Sequence, residues 1–156
     1  MKKNQKGFSL IELLIVVAII GIIAAIAVPN LLSSRRAANE GSAIGSVRSL
    51  NTAEAEYFTT TGQNLNYGTL ANLNTGGLID SVLSGGTKSG YGFAVANLVA
   101  GGAGVAAQYD VTATPVAFNA LTGTGTRGFY SNETAVIYGT PGAAAGSRGT
   151  PGTPIQ

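Results

Sequence analysis

Hydrophobic residues are spread unevenly along this chain, and one long apolar run near the N-terminus dominates the pattern. From Phe8 to Val28 the sequence is apolar except at Ser9, Glu12 and Gly21. As a helix these 21 residues rise about 30 Å, which is enough to cross the hydrocarbon of a bilayer. Fourteen of them are Leu, Ile, Val or Phe. Each contributes about −0.3 to −0.6 kcal/mol to the free energy of membrane insertion, whereas one acid at the bilayer centre costs about +3 kcal/mol. The run therefore predicts a membrane-spanning helix.

Beyond the run, apolar positions recur every three to four residues, as on one face of an amphipathic helix. These apolar positions are Ala37, Ile44, Val47, Leu50, Ala53 and Tyr57, and the polar positions include Arg36, Glu40, Glu54 and Glu56. We expect one helix over residues 8–60, with a transmembrane half at 8–28 and an amphipathic half at 29–60. Gly21 and Pro29 are its weak points, because glycine lowers helix propensity and proline removes a backbone donor and kinks the chain.

The period changes from helical to strand-like in the second half of the chain. Thr61 to Asn64 should stop the helix, and residues 66–83 predict a connector with short helical turns. Apolar residues then alternate with small or polar ones in four segments, 91–95, 109–113, 127–131 and 134–138. Asn132 and Glu133 would turn the last hairpin. The predicted fold is α+β, a long N-terminal α-helix packed on a small three- to four-stranded antiparallel sheet, with the head at 61–138.

The last segment, 139–156, has five glycines and three prolines and almost no apolar bulk. A segment of this composition gains little free energy from burying apolar surface, so we expect an extended or mobile, solvated tail. Ordering against neighbouring subunits is the alternative.

Composition excludes several classes of function. The chain has no Cys and no His, so it offers no disulfide, zinc finger, imidazole base or Ser-His-Asp triad, and we expect neither an enzyme nor a cofactor. The formal charge is +2, but Lys2, Lys3 and Lys6 precede the apolar run. The remaining six cations and seven anions give −1, which predicts no specific nucleic-acid binding.

A secretory signal peptide is one alternative for the N-terminal run. Ala25-Ile26-Ala27 supplies an A-x-A cleavage pattern, and cleavage there would release a small secreted binding domain beginning at Val28. Against this, the apolar region exceeds the usual length of about 7–15 residues and carries a carboxylate at Glu12.

The string Lys6-Gly7-Phe8-Ser9-Leu10-Ile11-Glu12-Leu13-Leu14-Ile15-Val16 resembles the processing site of type IV prepilins and related pseudopilins. The resemblance implies that residues 1–7 are a leader, that prepilin peptidase cuts after Gly7, and that the new N-terminus at Phe8 is methylated. It further implies that Glu12 pairs with the free amine of Phe8 on a neighbouring subunit and sets the axial register during assembly. A carboxylate snorkelling to the interface without such a partner is the alternative.

Helix breakers at Gly21 and Pro29 are also similar to those of this family, in which the segment between them can unwind in the filament. A simple interfacial kink at Pro29 is the alternative.

Other motifs carry less chemistry. Gly102 to Ala107 formally fits a dinucleotide-binding loop but predicts a hairpin loop, and Lys88-Ser89 lacks the glycines of a phosphate loop. The sequon at Asn132 is explained by an Asn turn. Asp80, Asp110 and Glu133 are too dispersed to predict a metal site. The plain role of the aromatic residues Phe8, Tyr57, Phe58 and Tyr67 is packing between helix and sheet.

Together these observations predict a structural subunit of a type IV pilus, a homo-oligomeric helical filament serving adhesion, motility or DNA uptake. The resemblance implies prepilin peptidase and an inner-membrane assembly machinery as partners, with the precursor in the bacterial inner membrane and the product on the cell surface. A pseudopilin of type II secretion is the nearest alternative.

Overall fold

A computed structural model describes residues 7–119 and 122–155 of the chain. It divides into two compact units between Ser34 and Arg35. The first unit is helical, and the second contains the sheet. The leader predicted at residues 1–7 falls outside the described residues except for Gly7.

The predicted long helix is confirmed as α1, Leu10–Thr59, and its helical assignment is unbroken through Gly21 and Pro29. The residues that follow α1 determine where the helix ends. The Gly62 N–H donates to the Tyr57 carbonyl at 2.8 Å, and Gln63 and Asn64 then take φ values of 54° and 58°. Left-handed backbone of this kind cannot continue a right-handed helix, so α1 stops where the polar turn residues begin.

Two short helices, α2 (Leu70–Thr75) and α3 (Ser81–Ser84), confirm the predicted helical turns of the connector. Each is capped by the side chain before it. Thr69 accepts a hydrogen bond from the Asn72 N–H, and Asp80 accepts one from the Leu83 N–H. Such caps satisfy amides that have no partner inside the helix, which is why short polar residues precede both helices.

The sheet has six strands in sequential order, with every neighbouring pair antiparallel. They are β1 Thr87–Lys88, β2 Tyr91–Val99, β3 Gln108–Pro115, β4 Arg127–Asn132, β5 Tyr138–Pro141 and β6 Thr153–Pro154. The α+β class and antiparallel sheet are confirmed, but the predicted number of three to four strands is wrong. The two edge strands have two residues each, too few to show an alternating pattern.

The C-terminal part of the head differs most from expectation. The last hairpin does not turn directly into a strand at Thr134, because β5 begins only at Tyr138 and pairs that residue with Tyr130. The segment 139–156 is not a solvated tail: it supplies most of β5 and all of β6, and Ile155 packs against the core. Backbone hydrogen bonds and a few close contacts order it in place of apolar bulk.

The core lies between the 35–59 part of α1 and one face of the sheet. Its buried apolar residues are Ala43, Val47, Leu50, Ala53, Leu73, Leu83, Tyr91, Phe93, Tyr109, Val111, Ala113, Phe129 and Ile137. The predicted helical stripe is confirmed at Val47, Leu50 and Ala53, whereas Ala37 is exposed. Glu40 and Glu54, expected among the polar positions, are buried.

Candidate functional site

The N-terminal segment, defined here as residues 7–34, is apolar on every side of its helix. All of its large apolar side chains from Phe8 to Val28 are exposed, with Phe8 at 78%. Such a helix is stable only where its side chains meet lipid or other apolar helices. Among the described residues, α1 is the one helix long and apolar enough to cross a membrane.

The residues before the helix lie in an open, non-helical stretch. Gly7, Phe8 and Ser9 precede α1, and the Ser9 carbonyl accepts the first helical hydrogen bonds from the amides of Glu12 and Leu13, at 3.2 and 3.3 Å. The predicted cleavage position between Gly7 and Phe8 is therefore outside the helix.

Glu12 has a local structural role at this helix start. Its carboxylate accepts a hydrogen bond from the Ser9 N–H at 3.4 Å, which is one of the two hydrogen bonds of a capping box. This bond is long, and a carboxylate has about four acceptor positions. Within residues 7–119 and 122–155, the Ser9 N–H is the one hydrogen-bond donor to the Glu12 carboxylate.

Gly21 and Pro29 both lie inside α1, and a methyl group placed on Gly21 would meet open space. Close packing among the described residues therefore does not require glycine at position 21. These residues lower the intrinsic stability of this stretch by about 1 and 3 kcal/mol relative to alanine.

In the second unit, a buried carboxylate ties α1 to the sheet. Glu40 Oε1 accepts hydrogen bonds from the amide and hydroxyl of Thr126 at 2.7 and 2.6 Å, and Oε2 accepts two from the Arg127 guanidinium at 3.0 and 2.8 Å. Burial alone would raise the pKa of Glu40, but the Thr126 and Arg127 interactions outweigh it and lower the pKa. The sequence pattern gave no signal for a pairing across so many residues.

Glu54 is the second acid that was predicted among the polar positions of the helix and is buried instead. It is fully buried in α1, where Oε2 accepts the Gly68 N–H at 2.8 Å and Oε1 has no hydrogen-bond partner among the residues that the structure describes. Burial raises the pKa of this carboxyl to about 7, against a smaller lowering by the Gly68 hydrogen bond.

Aromatic side chains pack against one another near the end of α1. The rings of Phe58 and Tyr67 stack with centroids 4.8 Å apart, and Tyr67 lies 4.5 Å from Tyr109 on the sheet. Tyr57 belongs to the partly buried residues around the core. This confirms the predicted packing role for Tyr57, Phe58 and Tyr67, whereas Phe8 is in the other unit.

The weaker motifs have structural explanations. Gly102 and Val105 pair across the β2–β3 turn, and Lys88 donates to Asp80 in an exposed ion pair at 2.8 Å. Asn132 Oδ1 accepts from the amide of Thr134 in an Asn turn. Within residues 7–119 and 122–155 no three acidic side chains cluster as a metal site would require.

Comparison with known proteins identifies the N-terminal segment. A family model described as the prokaryotic N-terminal methylation motif matches residues 2–28. The type IV wide pilus major component PilA4 of Thermus thermophilus is 63% identical over 38 residues, which are 24% of this chain and 29% of that protein. The type IV major pilin protein PilA of Myxococcus xanthus is 46% identical over 55 residues, 35% of this chain and 25% of that protein.

Pseudopilins match as well. The type II secretion system core protein G of Aeromonas hydrophila is 36% identical over 52 residues, covering 33% of this chain and 36% of that protein. These matches confirm that the chain is type IV pilin-like at its N-terminus. The chain spans only about a quarter to a third of the length of these relatives. No solved structure matches it significantly.

Proposed function

We propose that this chain is the structural subunit of a type IV pilus, a helical homo-oligomer used for adhesion, motility or DNA uptake. The observation that carries the proposal is the methylation motif at residues 2–28, which contains the helical stretch whose large apolar side chains, from Phe8 to Val28, are all exposed. A soluble monomer would not leave such a surface uncovered, whereas a subunit that moves from a membrane into a fibre covers it at both stages.

Before assembly, the 8–28 helix would anchor the precursor in the bacterial inner membrane. Prepilin peptidase would then cut between Gly7 and Phe8, remove the lysine-rich leader and methylate the Phe8 amine. Two observations support this step: the matched motif extends across the bond, and Gly7, Phe8 and Ser9 are not helical.

Glu12 would then select and align each incoming subunit. Cleavage creates a positive amine at Phe8, and a carboxylate in an apolar environment is stable only beside such a cation. We propose that the Glu12 carboxylate of one subunit pairs with the Phe8 amine of its neighbour. The weak internal bond from Ser9 to Glu12, at 3.4 Å, would be readily exchanged for this stronger pair.

Burial of the apolar helices against one another would hold the fibre together. Each large apolar side chain gains about 1.5–3 kcal/mol when it leaves water, and the N-terminal segment has fourteen between Phe8 and Val28. We further propose that the stretch between Gly21 and Pro29 unwinds in the filament, since both residues weaken a helix there. An inner-membrane pilus machinery would drive the transfer, with the head facing outward.

A pseudopilin of a type II secretion system is the second candidate, favoured by the similarity to core protein G of Aeromonas hydrophila. It would use the same N-terminal chemistry in a short envelope filament. The two functions differ in where the processed chain accumulates, which gives a direct test.

The experiment is intact-mass and N-terminal analysis of material sheared from the cell surface. We expect a chain that begins at N-methylated Phe8 and assembles into extracellular fibres. A processed chain confined to the envelope would replace this proposal by the pseudopilin. A soluble chain that begins at Val28 would contradict both.

A further inference from the structure

Two large or charged side chains are buried on the face of the sheet that points away from α1. Strand side chains alternate between faces, and Val111 and Phe129 belong to the core. Their neighbours Asp110 and Tyr130 must therefore lie on the opposite, outer face, yet they are only 2% and 0% exposed. A second layer covers this part of the sheet.

The covering layer is the C-terminal strap, defined here as residues 142–155. The Ala144 carbonyl lies so close to Gly128 on β4 that a methyl group at position 128 would clash with it. Farther along, Ser147 and Thr150 close a turn through reciprocal backbone hydrogen bonds of 3.1 and 3.0 Å. The Ile155 N–H then donates to the Ile137 carbonyl at 2.9 Å, next to β6. The strap thus crosses the outer face before it rejoins the sheet edge.

Arg148 makes the main polar contacts of the strap. Its Nη2 donates to Asp110 Oδ1 at 2.7 Å and to the Tyr109 carbonyl at 2.8 Å, while the guanidinium also pairs with both oxygens of Glu133. Asp110 in turn accepts hydrogen bonds from the Tyr130 hydroxyl at 2.8 Å and from Asn97 at 2.6 Å. One side chain therefore joins the strap to β3 and to the loop after β4.

The composition of the strap shows why this contact matters. Apart from Ile155 at its end, residues 142–155 contain no large apolar side chain, and the chain has no cysteine to close the segment covalently. Apolar burial stabilises in proportion to the area removed from water, so glycine, alanine and serine contribute little. Hydrogen bonds to charged groups contribute more to stability than neutral ones.

We propose that Arg148 is an ion-pair latch, which holds the C-terminal strap closed over the outer face of the sheet. When the latch is broken, the strap opens as a local unit and uncovers Asp110 and Tyr130, while the core beneath stays folded. The strap is then a distinct element with its own opening equilibrium.

The test is amide hydrogen exchange on the full chain in detergent micelles, comparing Arg148→Gln with Lys88→Gln. The control also removes one positive charge and one ion pair, that of Lys88 with Asp80. We expect Arg148→Gln to accelerate exchange at the Thr150 and Ile155 amides about tenfold or more, with Phe93 in the core unchanged. Lys88→Gln should leave all three unchanged.

Two results would overturn the proposal: exchange at Thr150 and Ile155 that does not change in Arg148→Gln, or an equal acceleration at Phe93. If Arg148→Gln does not fold, Glu133→Gln removes only the more exposed half of the latch. It should accelerate exchange in the strap by a smaller factor, and an unaffected strap would refute the latch. These readouts concern residues 35–155 only, so they are independent of filament formation.

Discussion

Glu40 and Arg127 are 87 residues apart in sequence, yet the Arg127 guanidinium donates two hydrogen bonds to one oxygen of the Glu40 carboxylate. The other oxygen accepts two from Thr126. This contact fixes the position of α1 along β4. Glu40 is buried and Arg127 is partly exposed, so the pair lies at the edge of the core, where it borders solvent.

Replacing Glu40 should destabilise the head through this contact. Glu40→Gln removes the charge and one of the two acceptor oxygens, so the donors of either Arg127 or Thr126 lose their acceptor, and we expect a loss of about 2 kcal/mol in the free energy of unfolding. Thermal or denaturant unfolding of the full chain in detergent, followed by tyrosine near-UV circular dichroism, measures it. Glu56→Gln, an exposed position on the same helix, is the control and should be nearly neutral. Equal stability of the two variants would contradict the assignment.

The raised pKa of Glu54 makes the head less stable as the pH increases. Between pH 4.5 and about 7 the folded chain keeps this proton while the unfolded chain loses it, so stability falls as the pH rises through this range. We expect a loss of about 2 kcal/mol between pH 5 and 8. The pKa values of Glu40 and Glu133 are lowered instead, so the stability that these two acids contribute is lost only as the pH falls to more acidic values.

Unfolding measured at several pH values, with Glu54→Gln beside Glu56→Gln, isolates this effect. Glu54→Gln should flatten the decline between pH 5 and 8, since glutamine does not titrate, while Glu56→Gln should keep it. A decline of the same slope in Glu54→Gln would show that another group is responsible.

Periodicity predicted the elements that bury a continuous apolar face. The helix over 8–60 was predicted to within two residues of α1, and the strands beginning at Tyr91 and Arg127 were also identified correctly. Both kinds of element repeat one residue class at a fixed interval, which is visible in a single sequence.

The strap and the buried acids could not be predicted in this way. Arg148 folds against Asp110 and Glu133 through long-range contacts, and its glycine-rich surroundings have the composition of a solvated tail. Glu40 and Glu54 have partners in distant loops, at Thr126 and Gly68. The local sequence pattern carries no information on which polar groups form hydrogen bonds or ion pairs with residues that are distant in sequence. The residues of the N-terminal site, by contrast, are contiguous in sequence, so a sequence motif was enough to identify them.

The proposed role of Glu12 predicts a separation between membrane insertion and assembly. Glu12→Val removes the acid that opposes insertion, so we expect membrane levels equal to or above those of the natural chain. Filament yield should fall by at least about tenfold, because the proposed partner of the Phe8 amine is lost. The measurement compares the membrane fraction with sheared surface material by immunoblot.

Ser9→Ala is the matched control for Glu12→Val. It removes a polar side chain at the same helix start but keeps both the carboxylate and the Ser9 N–H that donates to it, so filament yield should be largely retained. Normal fibres from Glu12→Val would refute the proposed pairing. Loss of fibres in both variants would instead indicate that assembly depends on side chains of the helix start other than the Glu12 carboxylate.

The outer layer of the sheet gives a last prediction, at two glycines that a sequence alone does not distinguish. A methyl group at Gly128 would clash with the Ala144 carbonyl of the strap, whereas one at Gly92 would meet Thr114 at an ordinary 3.7 Å. Gly128→Ala should therefore lower the free energy of unfolding by about 1–3 kcal/mol or displace the strap, as overpacking does. Gly92→Ala should be neutral or slightly stabilising, because it only reduces the freedom of the unfolded chain. Unfolding of both variants, combined with amide exchange at Thr150, measures the difference. Equal stabilities and unchanged exchange would mean that the strap does not pack on β4.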